Sequence, residues 1–376
     1  MRVLLVMTAR EVGGAELYVE RLVNALASQC EFTIALSGHP PLDDLRARLS
    51  RSVRVQPLAF DRAASLPGIV RRLQRLAADH DVVHLNSSHP ASRLGILMGF
   101  ALGGRNTPVV CVEHRVTPVS DVRVPRPLAW CLPTLFRWSR RGVARVIAVS
   151  RDNARVLTQH YRLPASKVEV IYNGVEMRRS GADPSAAARL RHELRLRSDQ
   201  PIVLTLARLL PNKGHRFLIQ AAPDILAHFP NVHFVLAGSP DDRAPIDRQI
   251  AGANLDGKFS ILGFRTDVAD LLDASDVFVL PSLAEGFALS ISEALAAGLP
   301  TIATHVGGAT EIIVDGENGF LIPPADAEAL ARAVKRVLSL DSAERLRLRQ
   351  AALDTARRFS MQVTAQHVMD VYRALS

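Results

Sequence analysis

Short apolar runs rich in branched side chains recur along this chain, each followed by a turn and then by helical periodicity, and the whole rhythm occurs twice. Arg2–Met7 opens it, a Gly13-Gly14 turn follows, and a helical pattern spans Ala15–Ala27. Phe32–Leu36, Val82–Leu85, Val109–Val112 and Val146–Val149 read as further buried strands, with helices expected at Pro67–Ala78 and Ala91–Leu102. The pattern restarts at Ile202–Leu206. It continues through Val232–Ala237, Phe259–Leu262, Val277–Leu280, Thr301–Ala303 and Gly319–Leu321, with helices at His215–Ala227, Val268–Leu272 and Ser290–Ala297 between them. A helical tail begins near Ala325. Continuous apolar strands alternating with helices require parallel βαβ units covered on both faces. The expected fold class is therefore α/β, as two parallel sheets in tandem. The Asn173-Gly174 turn and the polar, irregular stretch Met177–Pro184 mark the linker.

Size and charge narrow the function. At 376 residues the chain exceeds one ordinary core and suits two domains. A hydrophobic content of 48% with 22% charged residues excludes a disordered chain. Cys30, Cys111 and Cys131 have no motif spacing, so a reducing compartment is expected rather than a disulfide scaffold. The first apolar run lacks the length and cleavage site of a signal peptide, and Leu94–Gly104 falls short of the ~20 residues of a membrane span. Residues 1–178 carry 25 Lys and Arg against 14 Asp and Glu, whereas residues 179–376 carry 21 against 23. The basic first half points to an anionic partner or, equally, to an arginine-rich solubilising surface.

Open parallel sheets bind ligands beyond the carboxyl ends of their strands, and three loops there hold suggestive residues. Gly13 and Gly14 follow the first strand and let backbone approach an anion at a helix start; a plain tight turn fits equally well. Arg208 and Lys213 bracket the loop before the helix at His215, a pairing suited to a diphosphate; two solvated loop charges are the alternative. Glu285 lies in the loop after Leu280, and Glu293 in the first turn of the next helix. Carboxylates there accept hydroxyl groups of a sugar or ribose. The backbone N–H groups of Phe287, Ala288 and Leu289 offer donors to sugar or phosphate oxygens. For Glu293 the spacing Ser290-x-x-Glu293 also fits a capping box.

The run EGFALSISEALAAGLPTIATHVGGATEIIVDGENGFLIPPAD at 285–326 resembles the signature of retaining, family-4 glycosyltransferases of the GT-B fold, including their paired glutamates. GGAE at 13–16, CVEH ending at His114, VIYNGVE at 170–176, ARLLPNKGH at 207–215, AGSP at 237–240 and LGF at 262–264 extend the resemblance over nearly the whole chain. It implies two Rossmann-like α/β domains facing a central cleft, with the last helix crossing back to the first. The expected division is 1–178, with about 360–376 packing back on it, as the acceptor side, and 179–359 as the donor side. It further implies residue roles. His114 would touch the transferred sugar, and Arg208 and Lys213 would hold the diphosphate. Glu285 would bind sugar hydroxyls, with Phe287, Ala288 and Leu289 assisting. Glu293 would bind the ribose. Gly13 and Gly14 would face the diphosphate or acceptor, and Gly238, Gly263, Phe264 and Arg265 would border the base. Ala288 departs from the glycine common at its position, which makes that backbone contact the least secure.

The implied reaction moves a hexosyl or N-acetylhexosaminyl group, with retention, from a nucleotide-diphosphate sugar to a saccharide, lipid-linked saccharide or natural-product acceptor. No cofactor and no metal are expected: fixed cations and helix-end N–H groups would stabilise the leaving diphosphate. Asp241-Asp242 reads as a loop cap rather than a metal motif. Donor base, sugar and pathway remain open, lipopolysaccharide and exopolysaccharide among them. Arg115–Arg145 holds seven arginines and one acid, with Trp130, Phe136 and Trp138 interleaved. This suits an anionic membrane surface, or a helix whose aromatics pack inward; no nucleic-acid motif is present. A cytoplasmic enzyme, peripheral at the inner membrane face if that segment meets lipid, is the expectation. A GT-B sugar-nucleotide epimerase and a non-catalytic sugar- or membrane-binding protein are the alternatives; the family-4 motif set argues against the first, and the intact Arg208, Lys213, Glu285 and Glu293 against the second.

Overall fold

The computed structural model describes all residues except 10–11, 38, 40–41, 59–65, 87–94, 101–106, 117–133, 135, 178–183 and 240–242. The chain divides into two compact units, Met1–Gly174 with Met361–Ser376, and Val175–Ser360.

The first unit is built on a seven-stranded sheet of order β3-β2-β1-β4-β5-β6-β7. Its strands are β1 (Arg2–Met7), β2 (Glu31–Leu36), β3 (Arg54–Pro57), β4 (Val82–Asn86), β5 (Val109–Glu113), β6 (Val143–Ala148) and β7 (Val168–Val170). Every pairing is parallel. Strands β1, β2, β4 and β5 are buried along almost their whole length because helices cover both faces. Leu4, Val6, Val83, Leu85, Cys111 and Val146 pack in one cluster with Ile69, Leu73 and Ala77 of the helix Leu66–Ala77. Each fully buried Val or Leu contributes roughly 1.5–3 kcal/mol. The helix Met361–Arg373 returns to this unit. Thr364 Oγ1 donates to Tyr172 O at 2.9 Å, and the fully buried Tyr372 hydroxyl meets His84 Nδ1 at 2.6 Å. A Cβ on Gly174 would lie 2.5 Å from Met361 Cα, so only glycine lets the two segments meet.

The second unit holds a six-stranded parallel sheet, β10-β9-β8-β11-β12-β13. Its strands are β8 (Ile202–Leu206), β9 (His233–Ala237), β10 (Phe259–Gly263), β11 (Val277–Leu280), β12 (Thr301–Thr304) and β13 (Phe320–Ile322). Val203, Phe234, Leu236, Val277, Val279 and Ile302 form its core with the helices His215–His228 and Ala327–Leu338.

Several sequence expectations need correction. Edge strands β3 and β7 were not foreseen: RVQP and VEV are short and half-exposed, so they never read as apolar runs. The single tail is three helices, Ala327–Leu338, Ser342–Arg358 and Met361–Arg373; the Asp326 and Asp341 side chains cap the first two. A helix begins at Pro184, inside the stretch read as linker. Much of the expected helix Ala91–Leu102, with Cys131 and Asp241-Asp242, lies outside the described residues.

Candidate functional site

Strand order reverses between β1 and β4 in the first unit and between β8 and β11 in the second. Such switch points open a crevice at the carboxyl ends of the strands, where ligands bind open α/β sheets. The candidate residues cluster there in each unit.

In the second unit, β8 leads into the Arg208–Lys213 loop and β11 into Ser282–Leu289, and the two loops are locked backbone to backbone. Gly214 adopts a left-handed conformation (φ 72), and any Cβ on it would overlap the Pro281 carbonyl. Leu283 N–H donates to Asn212 O at 2.8 Å. Lys213 Nζ thereby reaches Glu285 Oε1 at 2.7 Å, although the two stand 72 positions apart. Ser282 Oγ donates to the same oxygen at 2.6 Å. Glu285 keeps only 8% of its side chain exposed, so its charge needs these partners. Both donors converge on Oε1, which leaves Oε2 to accept a ligand hydroxyl. A third loop braces the second: Gly308 N–H donates to Gly286 O at 2.9 Å, and a Cβ on Gly307 would overlap the Glu285 carbonyl.

Arg208 is exposed, and its guanidinium makes no ion pair among the described residues. Its carbonyl is fixed by His215 Nε2 at 3.0 Å. Burial, opposed by that hydrogen bond and reinforced by Lys213, pulls the His215 pKa down, so the ring is neutral and donates. Gly238 N–H donates to Gly263 O at 2.7 Å, and a Cβ on Gly238 would overlap the Ala207 carbonyl. Phe264 is 45% exposed beside them. Arg265 is held by Asp267 at 2.6 Å and Glu193 at 2.6 Å, and both carboxylates raise its pKa. Ala288 is the N-cap of the helix Leu289–Ala296, with no side-chain cap, so Ser290 sits inside the helix. The capping box suggested by Ser290 and Glu293 therefore does not form.

In the first unit, Gly13 caps the helix Gly14–Leu26 and donates its N–H to Glu16 Oε2 at 2.9 Å. Asn86, the last residue of β4, bridges this helix start to His114. Its Nδ2 donates to Ala15 O at 3.3 Å, and its Oδ1 lies 2.6 Å from His114 Nε2. An acceptor oxygen there places the His114 proton on Nε2. The buried Tyr18 ring meets His114 edge-on, 5.1 Å between centroids.

Sequence reasoning did not single out Ser282, Asn86, His215 or the Gly307-Gly308 brace. A polar residue closing an apolar strand, as Asn86 does, is the one signal available beforehand. The basic segment is also partly corrected. Residues 117–133 and 135, including Trp130, lie outside the described residues. Arg140 is not a surface cation: it is buried, ion-paired with Glu113, and its guanidinium lies 3.2 Å from the Phe136 ring centroid. Phe136 in turn stacks on Tyr161. No described helix is long and apolar enough to cross a membrane.

The chain matches two family models: glycosyl transferases group 1 over residues 187–355, and glycosyltransferase family 4 over residues 12–179. It is 30% identical to the D-inositol 3-phosphate glycosyltransferase of Streptomyces avermitilis, covering 97% of this chain and 83% of that relative. It is 27% identical to the GDP-mannose-dependent alpha-(1-6)-phosphatidylinositol monomannoside mannosyltransferase of Mycolicibacterium smegmatis, over 87% and 86%. Its fold superposes with a TM-score of 0.86 on Anabaena Alr3699/HepE in complex with UDP-glucose, at 24% identity over 100% of both chains.

Proposed function

This chain belongs to the family-4 glycosyltransferases and has their GT-B fold, and on that premise we propose that it transfers a hexosyl or N-acetylhexosaminyl group, with retention and without a metal, from a nucleotide-diphosphate sugar. The observation that carries this reading is the convergence of Lys213 and Glu285 at the switch point of the second sheet, with the exposed Arg208 in the same loop.

The chemistry follows from charge. As the bond from the anomeric carbon to the phosphate oxygen breaks, negative charge accumulates on the diphosphate. Arg208 and Lys213, carried on one loop, are assigned to receive it, and this pair of cations does the work a metal would otherwise do. Glu285 Oε2 accepts a sugar hydroxyl, while Ser282 and Lys213 hold its other oxygen. The N–H groups at the start of Leu289–Ala296 add donors, and Glu293 is assigned to the ribose. Gly238, Gly263, Phe264 and Arg265 border the base.

A retaining double displacement needs a second carboxylate as nucleophile. Glu285 is poorly suited, being held by two donors. We therefore assign a same-face substitution: the acceptor hydroxyl oxygen bonds to the anomeric carbon, the phosphate departs, and its oxygen takes the hydroxyl proton. His114, with its proton set on Nε2 by Asn86, is assigned to the transferred sugar. Gly13 and Gly14 lie on its side of Asn86 and are assigned to the acceptor or the diphosphate. The acceptor class is a saccharide, lipid-linked saccharide or natural product. For a lipid-linked acceptor, the exposed arginines of Arg115–Arg145 would draw the enzyme to an anionic membrane.

A thermal-shift panel of nucleotide sugars tests the donor, because selective binding stabilises by RT ln(1 + [L]/Kd). Turnover of Arg208→Ala with the selected donor tests the leaving-group role. A fall of about 10²–10³ in kcat with unchanged folding is expected, and near-normal turnover refutes it. Retention is read from the anomeric configuration of the product. Metal independence predicts full activity in excess chelator.

A further inference from the structure

A second cationic site lies at the opposite edge of the first unit's sheet. Asn86 and Glu113 end β4 and β5, whereas Val143 and Val168 begin β6 and β7. Beneath those beginnings Arg137, Arg140, Arg141, Arg162, Leu163 and Lys167 line a cavity of about 300 Å³. Two of the cations are structural. Arg140 Nε donates to Glu113 Oε1 at 3.1 Å and Nη1 to Phe136 O at 3.1 Å. Lys167 Nζ donates to Val143 O at 2.9 Å and Arg141 O at 3.2 Å, tying the turn before β7 to the turn before β6.

The other three have no such task. The side chains of Arg137, Arg141 and Arg162 are exposed and make no hydrogen bond or ion pair among the described residues. Glu113, the acid that meets this cluster, lies buried against Arg140. Arg162 also holds a left-handed backbone, φ 53, which costs a non-glycine residue energy and persists only where its surroundings impose it. Three exposed, unmatched guanidinium groups around a hollow walled by aliphatic stems and Leu163 favour an anion at its rim. Tetrahedral phosphate offers enough oxygens to engage several forks at once, whereas a carboxylate offers two.

We infer that this hollow binds a phosphate group, as a monoester or diester, at a site separate from the loops assigned to sugar transfer. The inference rests on no step of that transfer, although Arg137 and Arg141 are among the arginines assigned above to an anionic membrane. The phosphate comes from a lipid headgroup or from a soluble phosphate, and the test separates the two.

Binding of inorganic phosphate to the full chain is measured by calorimetry at low salt. The variants compared are the wild type, R137Q/R141Q/R162Q, R137K/R141K/R162K and R208A. The triple glutamine variant is expected to bind at least about tenfold more weakly, a difference of about 1.4 kcal/mol. The lysine variant should recover part of the affinity, and R208A should retain it. Unchanged thermal unfolding of the glutamine variant without phosphate excludes misfolding as the cause. Co-sedimentation with phosphatidylglycerol vesicles but not phosphatidylcholine vesicles, lost in the glutamine variant, identifies a lipid headgroup. Phosphate binding without vesicle binding identifies a soluble ligand. The inference is overturned if the wild type binds neither probe, or if R208A abolishes the phosphate signal and the glutamine variant keeps it. Turnover of R208A tests the transfer reading separately, so either proposal can fail alone.

Discussion

His84 is the residue whose protonation should most weaken the first unit. It is fully buried on β4, with Tyr372 against one ring nitrogen and no hydrogen-bond partner for Nε2 among the described residues. Burial, reinforced by the nearby His114, pushes its pKa down to about 3. In the unfolded chain a histidine titrates near 6.5. Between these values the unfolded chain binds a proton that the folded chain refuses. Stability is therefore complete above about pH 6.5 and falls as the pH drops through the window, by about 1.4 kcal/mol per unit. From pH 7 to pH 5 the loss amounts to about 2 kcal/mol. Urea unfolding of the wild type and of His84→Gln at both pH values isolates this contribution. The variant does not titrate there, and other groups, among them His233 with its pKa also lowered to about 4 by burial, cancel in the comparison. The pH-dependent loss should be about 2 kcal/mol smaller in the variant. Equal losses within about 0.5 kcal/mol would refute the reasoning, whatever the absolute stability of the variant.

Gly307→Ala should separate folding from activity: at φ 49 its Cβ would push on the Glu285 carbonyl, so kcat should fall by about 10²-fold. The accompanying stability loss should be roughly 1–2 kcal/mol, read by thermal unfolding. Arg140→Met strands the buried Glu113 carboxylate and should cost about 3–5 kcal/mol in chemical unfolding. A loss below about 1 kcal/mol would show that the pair is not effectively buried. Ser282→Ala removes one of the two donors on Glu285 Oε1 and should lower kcat/KM for the donor sugar by about tenfold; unchanged kcat/KM would detach Ser282 from the site.

How far the fold and site could be read beforehand follows the physics of each element. Interior strands such as β1 and β8 must be apolar on both faces, so RVLLVM and IVLTL are visible as runs. Edge strands carry no such demand, and β3 and β7 escaped. The second-unit loops were legible because glycine, proline and charge concentrate there. The pairing of Lys213 with Glu285 was not, since it depends on a strand crossover that brings β8 beside β11. Local spacing misled twice for one reason: Ser290-x-x-Glu293 and the arginine run at 137–141 each fit a surface or cap pattern. Tertiary placement instead set Ser290 inside its helix and turned Arg140 inward onto Glu113.

The return of Met361–Arg373 to the first unit has a consequence for how the chain is made. Val175–Ser360 leaves the ribosome as an uninterrupted stretch and can close around its own core as soon as it has emerged. The first unit, though translated earlier, waits for Tyr372 to fill the space beside His84. Closure of the amino-terminal unit therefore waits for the end of synthesis, and a chain that lacks Met361–Arg373 leaves the His84 side of that unit's core open.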